Sequence, residues 1–218
     1  MPVLRIRVDP ATALREGFDA IRAEAGVPET FSEAAQKEAE AAAARPPEYE
    51  PLGVPFVTID PPGARDLDQA MHIEALGEGH RIRYAIADVG AFVTPGGALD
   101  AEATERALTV YAPDRKVPLH PPVLSEGAAS LLPVEWRPAV VWTLELDGSG
   151  ELVSTHVGRS QVRSVAQHTY DDLPAEVAPL LEEVGERRLE LERARGGVRL
   201  AVPEQEVVQK DGTWTVEY

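Results

Sequence analysis

The residues best suited to chemistry lie in one stretch, Thr58-Ile59-Asp60-Pro61-Pro62-Gly63-Ala64-Arg65-Asp66-Leu67-Asp68-Gln69-Ala70-Met71, which places three aspartates in a short loop. Asp66 and Asp68 are two positions apart, so in extended backbone both carboxylates project to one side. Asp60 can fold back towards them across Pro61-Pro62-Gly63, which forces irregular backbone. Three converging carboxylates repel one another, and a cation relieves that repulsion. Oxygen-only donors select a hard ion such as Mg2+, Mn2+ or Ca2+. The alternating acids and closing glutamate of a calcium EF-hand loop are absent. Aspartate is also frequent in turns because it bonds its own backbone, so on these residues alone an acidic turn stands beside a metal site.

The flanking patterns must position that loop. Residues 54–59 read as a buried strand arriving and 69–75 as an alternating strand leaving. Gly77-Glu78-Gly79 turns the second strand back, and Ile82, Tyr84 and Ile86 form its hairpin partner. Asp88 ends that strand, as a turn cap or as a residue supporting the loop acids. Leu99, Ala103 and Ala107 mark a helix, followed by a proline-rich segment over 113–122. Residues 140–146 and 152–162 form a second hairpin around Asp147-Gly148-Ser149-Gly150. Val177, Leu180, Leu181, Val184 and Leu191 define an amphipathic helix closed by Gly196-Gly197. A final hairpin turns at Lys210-Asp211-Gly212 and carries Trp214.

The first 50 residues have a different character. Leu4, Ile6 and Val8 alternate with arginines as a short strand. Asp9-Pro10 opens a helix whose apolar face is Leu14, Phe18 and Ile21. Gly26 and Pro28 stop it, and Thr30 with Glu33 forms a capping box for a second, Ala/Glu-rich helix. A helix-turn-helix is conceivable, but a docking appendage fits the thin apolar face better. Residues 45–51 read as a linker. The expectation is an α+β chain: a small strand-plus-helices segment over 1–50, then a mostly antiparallel sheet with flanking helices over 51–218.

Composition narrows the function. The chain has 218 residues, is 44% hydrophobic and contains no cysteine, which excludes disulfides, thiolate metal sites and a cysteine nucleophile. No long apolar run or signal-like N-terminus is present, so no membrane partner is expected and the cytoplasm is the default location. Lys+Arg 21 against Asp+Glu 37 gives a formal charge of −16, which argues against a broad duplex-binding surface. A narrow single-strand channel remains open, since local charge and stacking decide there. The five histidines show no metal-ligand spacing, Ser125 and Ser130 have no adjacent base, and no Gly-rich phosphate loop occurs.

Thr58-Ile59-Asp60-Pro61, then Asp66-x-Asp68 and Ala70-Met71, resembles the catalytic loop of the ribonuclease II (RNB) family of exoribonucleases. The resemblance continues in the family's order through Ile86-Ala87-Asp88-Val89, Gly97-Ala98-Leu99-Asp100 and Tyr111-Ala112-Pro113-Asp114-Arg115-Lys116-Val117-Pro118-Leu119. Leu124-Ser125 and Ser130-Leu131 extend it. Several spaced matches in one order are far more specific than one motif.

The resemblance implies a 3′→5′ exoribonuclease acting on single-stranded RNA, with Asp60, Asp66 and Asp68 as ligands of Mg2+ (Mn2+ as the alternative) and Asp68 the most critical. Tyr111 is similar to the tyrosine that stacks near the RNA 3′ end, and Tyr170 to one further out. The chain departs from the pattern in two places. Gln69 stands where the family has a fourth acid, so it is a weak ligand, and of the two Mg2+ ions that shared carboxylates can hold the second is expected to bind less tightly. Ala85 stands where a histidine is usual. RNB domains are usually about twice as long as the matching part, so residues 51–218 are expected to be the N-terminal half of the catalytic domain, monomeric when full length. A non-catalytic RNA-binding relative disarmed at Gln69, and an acidic interaction module with a cation-stabilised loop, are the competing readings.

Overall fold

The computed structural model describes residues 11–200, 202, 203, 205–210 and 213–217. The alternating strand expected over residues 4–8 lies outside them. Five strands close into a barrel in the order β1-β2-β3-β6-β7, where β1 is Phe56–Ile59, β2 Gln69–Leu76, β3 Gly79–Ala87, β6 Trp136–Leu146 and β7 Leu152–His168. Two short strands, β4 (Val110–Tyr111) and β5 (Lys116–Val117), form a separate hairpin. The chain ends with the hairpin β8 (Glu206–Lys210) and β9 (Thr213–Glu217).

The expected mostly antiparallel sheet with flanking helices is what the chain forms, but the sheet also closes on itself. The seam is parallel, between β1 and the end of β7. Closure follows from the length of β7: Leu152 to Arg163 pairs with β6, and Ser164 to His168 turns onto β1. The strand therefore runs six residues past the expected end at Val162. Closure removes two sheet edges that would otherwise expose unpaired backbone groups. Residues 50–52 are not a free linker. Pro51 bridges Gln161 in parallel, and the Leu52 N–H donates to the Gln161 carbonyl at 2.9 Å.

Alternation along the strands fills the barrel with Phe56, Leu67, Ala70, Ala85, Leu131, Ala139, Val141 and Val162. Ala85, at the usual histidine position, is one of these wholly buried side chains. On another face of the strands, Val57, Met71, Ile73 and Leu146 pack on Val184 of α4 (Ala178–Ala194). The third core joins α2 (Glu33–Ala43) to the elements after the barrel's first hairpin: Ala35 and Ala39 meet Phe92, Leu99, Leu124 and Ala129. Leu99 belongs to α3 (Ala98–Arg106). A thin alanine face thus suffices because it packs closely on large partners. The cap of α2 is Ser32, two residues later than the capping box suggested: its Oγ accepts from the Ala35 N–H at 3.2 Å. The Thr30 carbonyl instead accepts from Arg106.

Helix α1 (Ala11–Glu24) reaches the β4–β5 hairpin through charge. Arg22, only 3% exposed, bonds Glu29 (2.8 Å), Asp114 (2.6 Å) and Asp19. Arg115 bonds Glu29 at 2.7 Å and Asp19 at 3.0 Å. Phe18 meets Trp214 edge to face, with ring centroids 5.2 Å apart. Among the described residues no helix is long and apolar enough to cross a membrane.

Candidate active site

The acidic loop leaves β1 at the barrel seam and re-enters the barrel as β2. Pro61-Pro62-Gly63-Ala64 is a tight turn closed by the Ala64 N–H on the Pro61 carbonyl at 3.1 Å. Gly63 sits at φ +82, the left-handed value that a type II turn requires at its third position, after proline at its second. The Asp60 N–H donates to the His168 carbonyl at 2.9 Å, so the closing strand fixes Asp60. Gln167 Nε2 donates to the Ala64 carbonyl at 3.1 Å.

The other half of the loop is pinned by Ser130 and Leu131. The Leu67 N–H donates to Ser130 Oγ (3.0 Å), Ser130 Oγ donates to the Arg65 carbonyl (2.6 Å), and the Leu131 N–H donates to the Leu67 carbonyl (2.8 Å). Leu67 is wholly buried in the barrel. With Leu67 turned inward, extended alternation sends Asp66 and Asp68 outward together. Both line one cleft of about 220 Å³, with Tyr111, His120, Ser125 and Ser130. Asp60 and Gln69 line a second cleft of about 370 Å³, with Met71, Tyr84, Tyr170 and Leu181.

The two clefts are electrically connected. Burial, then the charges of Asp68 and Asp66, raises the Asp60 carboxyl above its ordinary pKa. At Asp66 burial also works upward, but the hydrogen bond from Lys116, backbone donors and the Lys116 charge outweigh it, and the net direction is down. Lys116 Nζ lies 2.8 Å from Asp66 Oδ1 and 2.8 Å from Glu126 Oε1. The Tyr84 phenol is raised by burial, then by the charges of Asp68, Tyr170 and Asp60. Burial lowers the His120 imidazole, which favours its neutral form.

Tyr111 and Tyr170 are 74% and 71% exposed, one in each cleft, rather than half-buried core residues. The β4–β5 hairpin pairs Tyr111 with Lys116 and so presents both beside the acids. Tyr170 follows two residues after the seam strand. Gln69 turns its amide oxygen to the Tyr84 hydroxyl. Asp88 bonds Arg159 Nε at 2.7 Å and Tyr49 at 3.2 Å, and makes no side-chain cap bond to the turn it precedes.

Lys116, Tyr84, Glu126 and the loop-holding role of Ser130 were not singled out from sequence. For Lys116 a signal existed: Pro113-Asp114 makes a tight turn, and the resulting hairpin puts Lys116 opposite Tyr111. Tyr84 and Glu126 carry no local signal, because their partners come from other segments.

The donor set suits a hard divalent ion. Among the described residues no three His, Cys, Asp or Glu side chains are gathered as a ready cage. Mg2+ does not need one: it keeps several waters and takes one or two carboxylates plus substrate phosphate. Asp66 and Asp68 share one cleft, and Asp60, its carboxyl raised by burial and then by their charges, lines the next; these are the residues that could hold such an ion.

The RNB domain model matches residues 52–190. Ribonuclease R of Acidithiobacillus ferrooxidans is 38% identical over 125 residues, 57% of this chain and 28% of the relative. A protein of Arabidopsis thaliana named inactive exonuclease DIS3L2 is 40% identical over 116 residues, 53% of this chain and 11% of the relative. The chain thus matches less than a third of the length of these relatives. Among solved structures, Mycoplasma genitalium RNase R in complex with ribose-methylated single-stranded RNA superposes with a TM-score of 0.82 at 21% identity, over 96% of this chain and 36% of that one. With the family model covering most of the barrel and the whole acidic loop, the chain belongs to the RNB domain family.

Proposed function

We propose that this chain contributes the acidic loop and one wall of a 3′→5′ exoribonuclease site that hydrolyses single-stranded RNA with Mg2+. The observation that carries the reading is the pairing of acids with exposed aromatics. Asp66 and Asp68 share a cleft with Tyr111, and Asp60 shares the adjoining one with Tyr170. Base–aromatic stacking is indifferent to sequence and contributes about 1–3 kcal/mol per base. Tyr111 and Tyr170 can hold the strand while the acids face its phosphates. Asp66 and Asp68, with Asp60 beside them, would hold the ion. When bound, Mg2+ supplies positive charge that activates a water and stabilises the leaving oxygen.

The protein's own part is positional. Ser130 and Leu131 keep the two carboxylates of one cleft in register, and the barrel seam keeps Asp60 next to them. His120, whose imidazole pKa burial lowers, also lines this wall. A total charge of −16 is compatible with this because affinity comes from stacking and from the ion.

The test is incubation of the natural full-length protein with 5′-labelled single-stranded RNA and Mg2+. Progressive shortening from the 3′ end, abolished by chelation and by Asp68→Asn, is expected. Binding without shortening favours a second reading, an RNA-binding relative that does not cut. Gln69 favours that reading: the fourth acid is missing, and the amide oxygen in its place is occupied by Tyr84.

A further inference from the structure

Lys116 stands between two carboxylates that belong to different segments. Asp66 comes from the acidic loop, and Glu126 from the turn Leu124–Ala128 that follows the β4–β5 hairpin. Each lies 2.8 Å from Nζ, and all three side chains are partly buried. An ammonium is a compact point charge with three donors, so it can serve both partners at once. It already gives Asp66 positive charge of the kind a divalent ion would bring. The backbone holds Lys116 there, because β5 pairs with β4 in the Tyr111–Lys116 register. Glu126 has no bond to the acidic loop other than through this lysine among the described contacts.

We propose that Lys116 is a resident cation of the acidic loop that competes with a divalent ion for Asp66, and that Glu126 retains the ammonium when it yields. The inference rests on the reading of Asp60, Asp66 and Asp68 as carboxylates for such an ion. A divalent ion approaching Asp66 meets a like charge 2.8 Å from Asp66 Oδ1. Without Glu126, a displaced ammonium would lose its second partner in a partly desolvated wall. With Glu126, it gives up one bond and keeps the other. The Lys116–Glu126 pair therefore sets how tightly the loop takes its ion, on a site already short of one acid at Gln69.

The experiment is calorimetric titration of the 218-residue chain with Mn2+ at fixed pH and ionic strength, with circular dichroism to verify folding of each variant. Lys116→Met is expected to tighten Mn2+ about tenfold, as removal of one competing unit charge beside a partly buried carboxylate should. Lys116→Gln, which keeps a donor without the charge, is expected to tighten it similarly and serves if the methionine variant does not fold. Glu126→Gln is expected to weaken Mn2+ about threefold. The double variant separates the proposal from simple charge counting. If Glu126 acts through Lys116, Lys116→Met with Glu126→Gln binds like Lys116→Met alone. If the two charges act independently, the single effects add.

Additive effects, or unchanged or weaker Mn2+ binding in both lysine variants, overturn the proposal. If Mn2+ binding is present, is lost in Asp68→Asn and ignores Lys116, the inference fails while the metal reading stands. If neither the wild type nor the lysine variants bind Mn2+, both fail. Binding only in the lysine variants supports both.

Discussion

The two clefts on either side of the acidic loop divide its three aspartates, Asp66 and Asp68 in one and Asp60 in the other, and balance charge differently. In the smaller cleft, Asp66 is held by Lys116, and Asp68 stands beside it with Tyr111. In the larger cleft no cation pairs with Asp60 among the described residues: burial and its acidic neighbours raise its pKa, and its companion Gln69 is a neutral amide bonded to Tyr84. The difference shows where charge has been compensated within the protein and where it has been left for something else. Among the described residues the Asp60 side carries neither the fourth acid nor a paired cation.

The largest effect is expected from the acid in the smaller cleft. Asp68→Asn should lower RNA hydrolysis by about 100-fold or more, the scale of losing one group that stabilises developing charge, with RNA affinity changed less than about threefold. A gel assay of rate beside a filter-binding assay of affinity checks this; an equal loss in both would make Asp68 a binding residue only. Next come the aromatics. Tyr111→Ala and Tyr170→Ala should each weaken single-stranded RNA about 5- to 100-fold, while the phenylalanine variants remain close to wild type, because the stacking face is preserved. Loss of affinity in Tyr111→Phe would show that its hydroxyl, not its ring, matters.

A smaller change should come from Gln69→Asp, which returns an acid to the larger cleft. Mn2+ titration should show binding strengthened several-fold, on the order expected for one added carboxylate. No change would mean that this cleft does not face the ion. The smallest expected effect is on stability against pH without divalent ions. The folded-state pKa of Asp60 is raised, so its contribution is present in full below the unfolded value of 3.8 and is lost as pH rises through the raised value. That of Asp66 is lowered, so its contribution is present above 3.8 and is lost as pH falls through the depressed value. Thermal unfolding of Asp60→Asn and Asp66→Asn across pH 3 to 7, by differential scanning, should therefore diverge with opposite slopes. Parallel curves would remove the asymmetry between the clefts.

Much of this was legible in the sequence, and for definite reasons. The spacing of Asp66 and Asp68 around an apolar residue states that both face one way, because Leu67 must be buried. The hairpins around Gly77 and Gly148 follow from turn chemistry and alternation. What local pattern could not supply is anything made by distant pairing. Barrel closure depends on Ser164 to His168, a mixed run without clean alternation that pairs with β1. Likewise the Pro113-Asp114 turn can set Lys116 opposite Tyr111, but its partners Asp66 and Glu126 come from other segments and only the fold brings them to it. The Arg22 cluster tying α1 to the Tyr111 hairpin is invisible for the same reason, since Asp114 is far along the chain.

We propose that the acidic loop holds a divalent ion through the carboxylates that line its two clefts. Paramagnetic broadening by sub-stoichiometric Mn2+, read on amide and aromatic resonances of the 218-residue chain, tests it most directly. Signals of Asp60, Asp66, Asp68, Tyr84 and Tyr111 should fade first and together, and should persist in Asp68→Asn. Broadening spread evenly over the acidic surface, or confined to residues outside both clefts, would contradict the account.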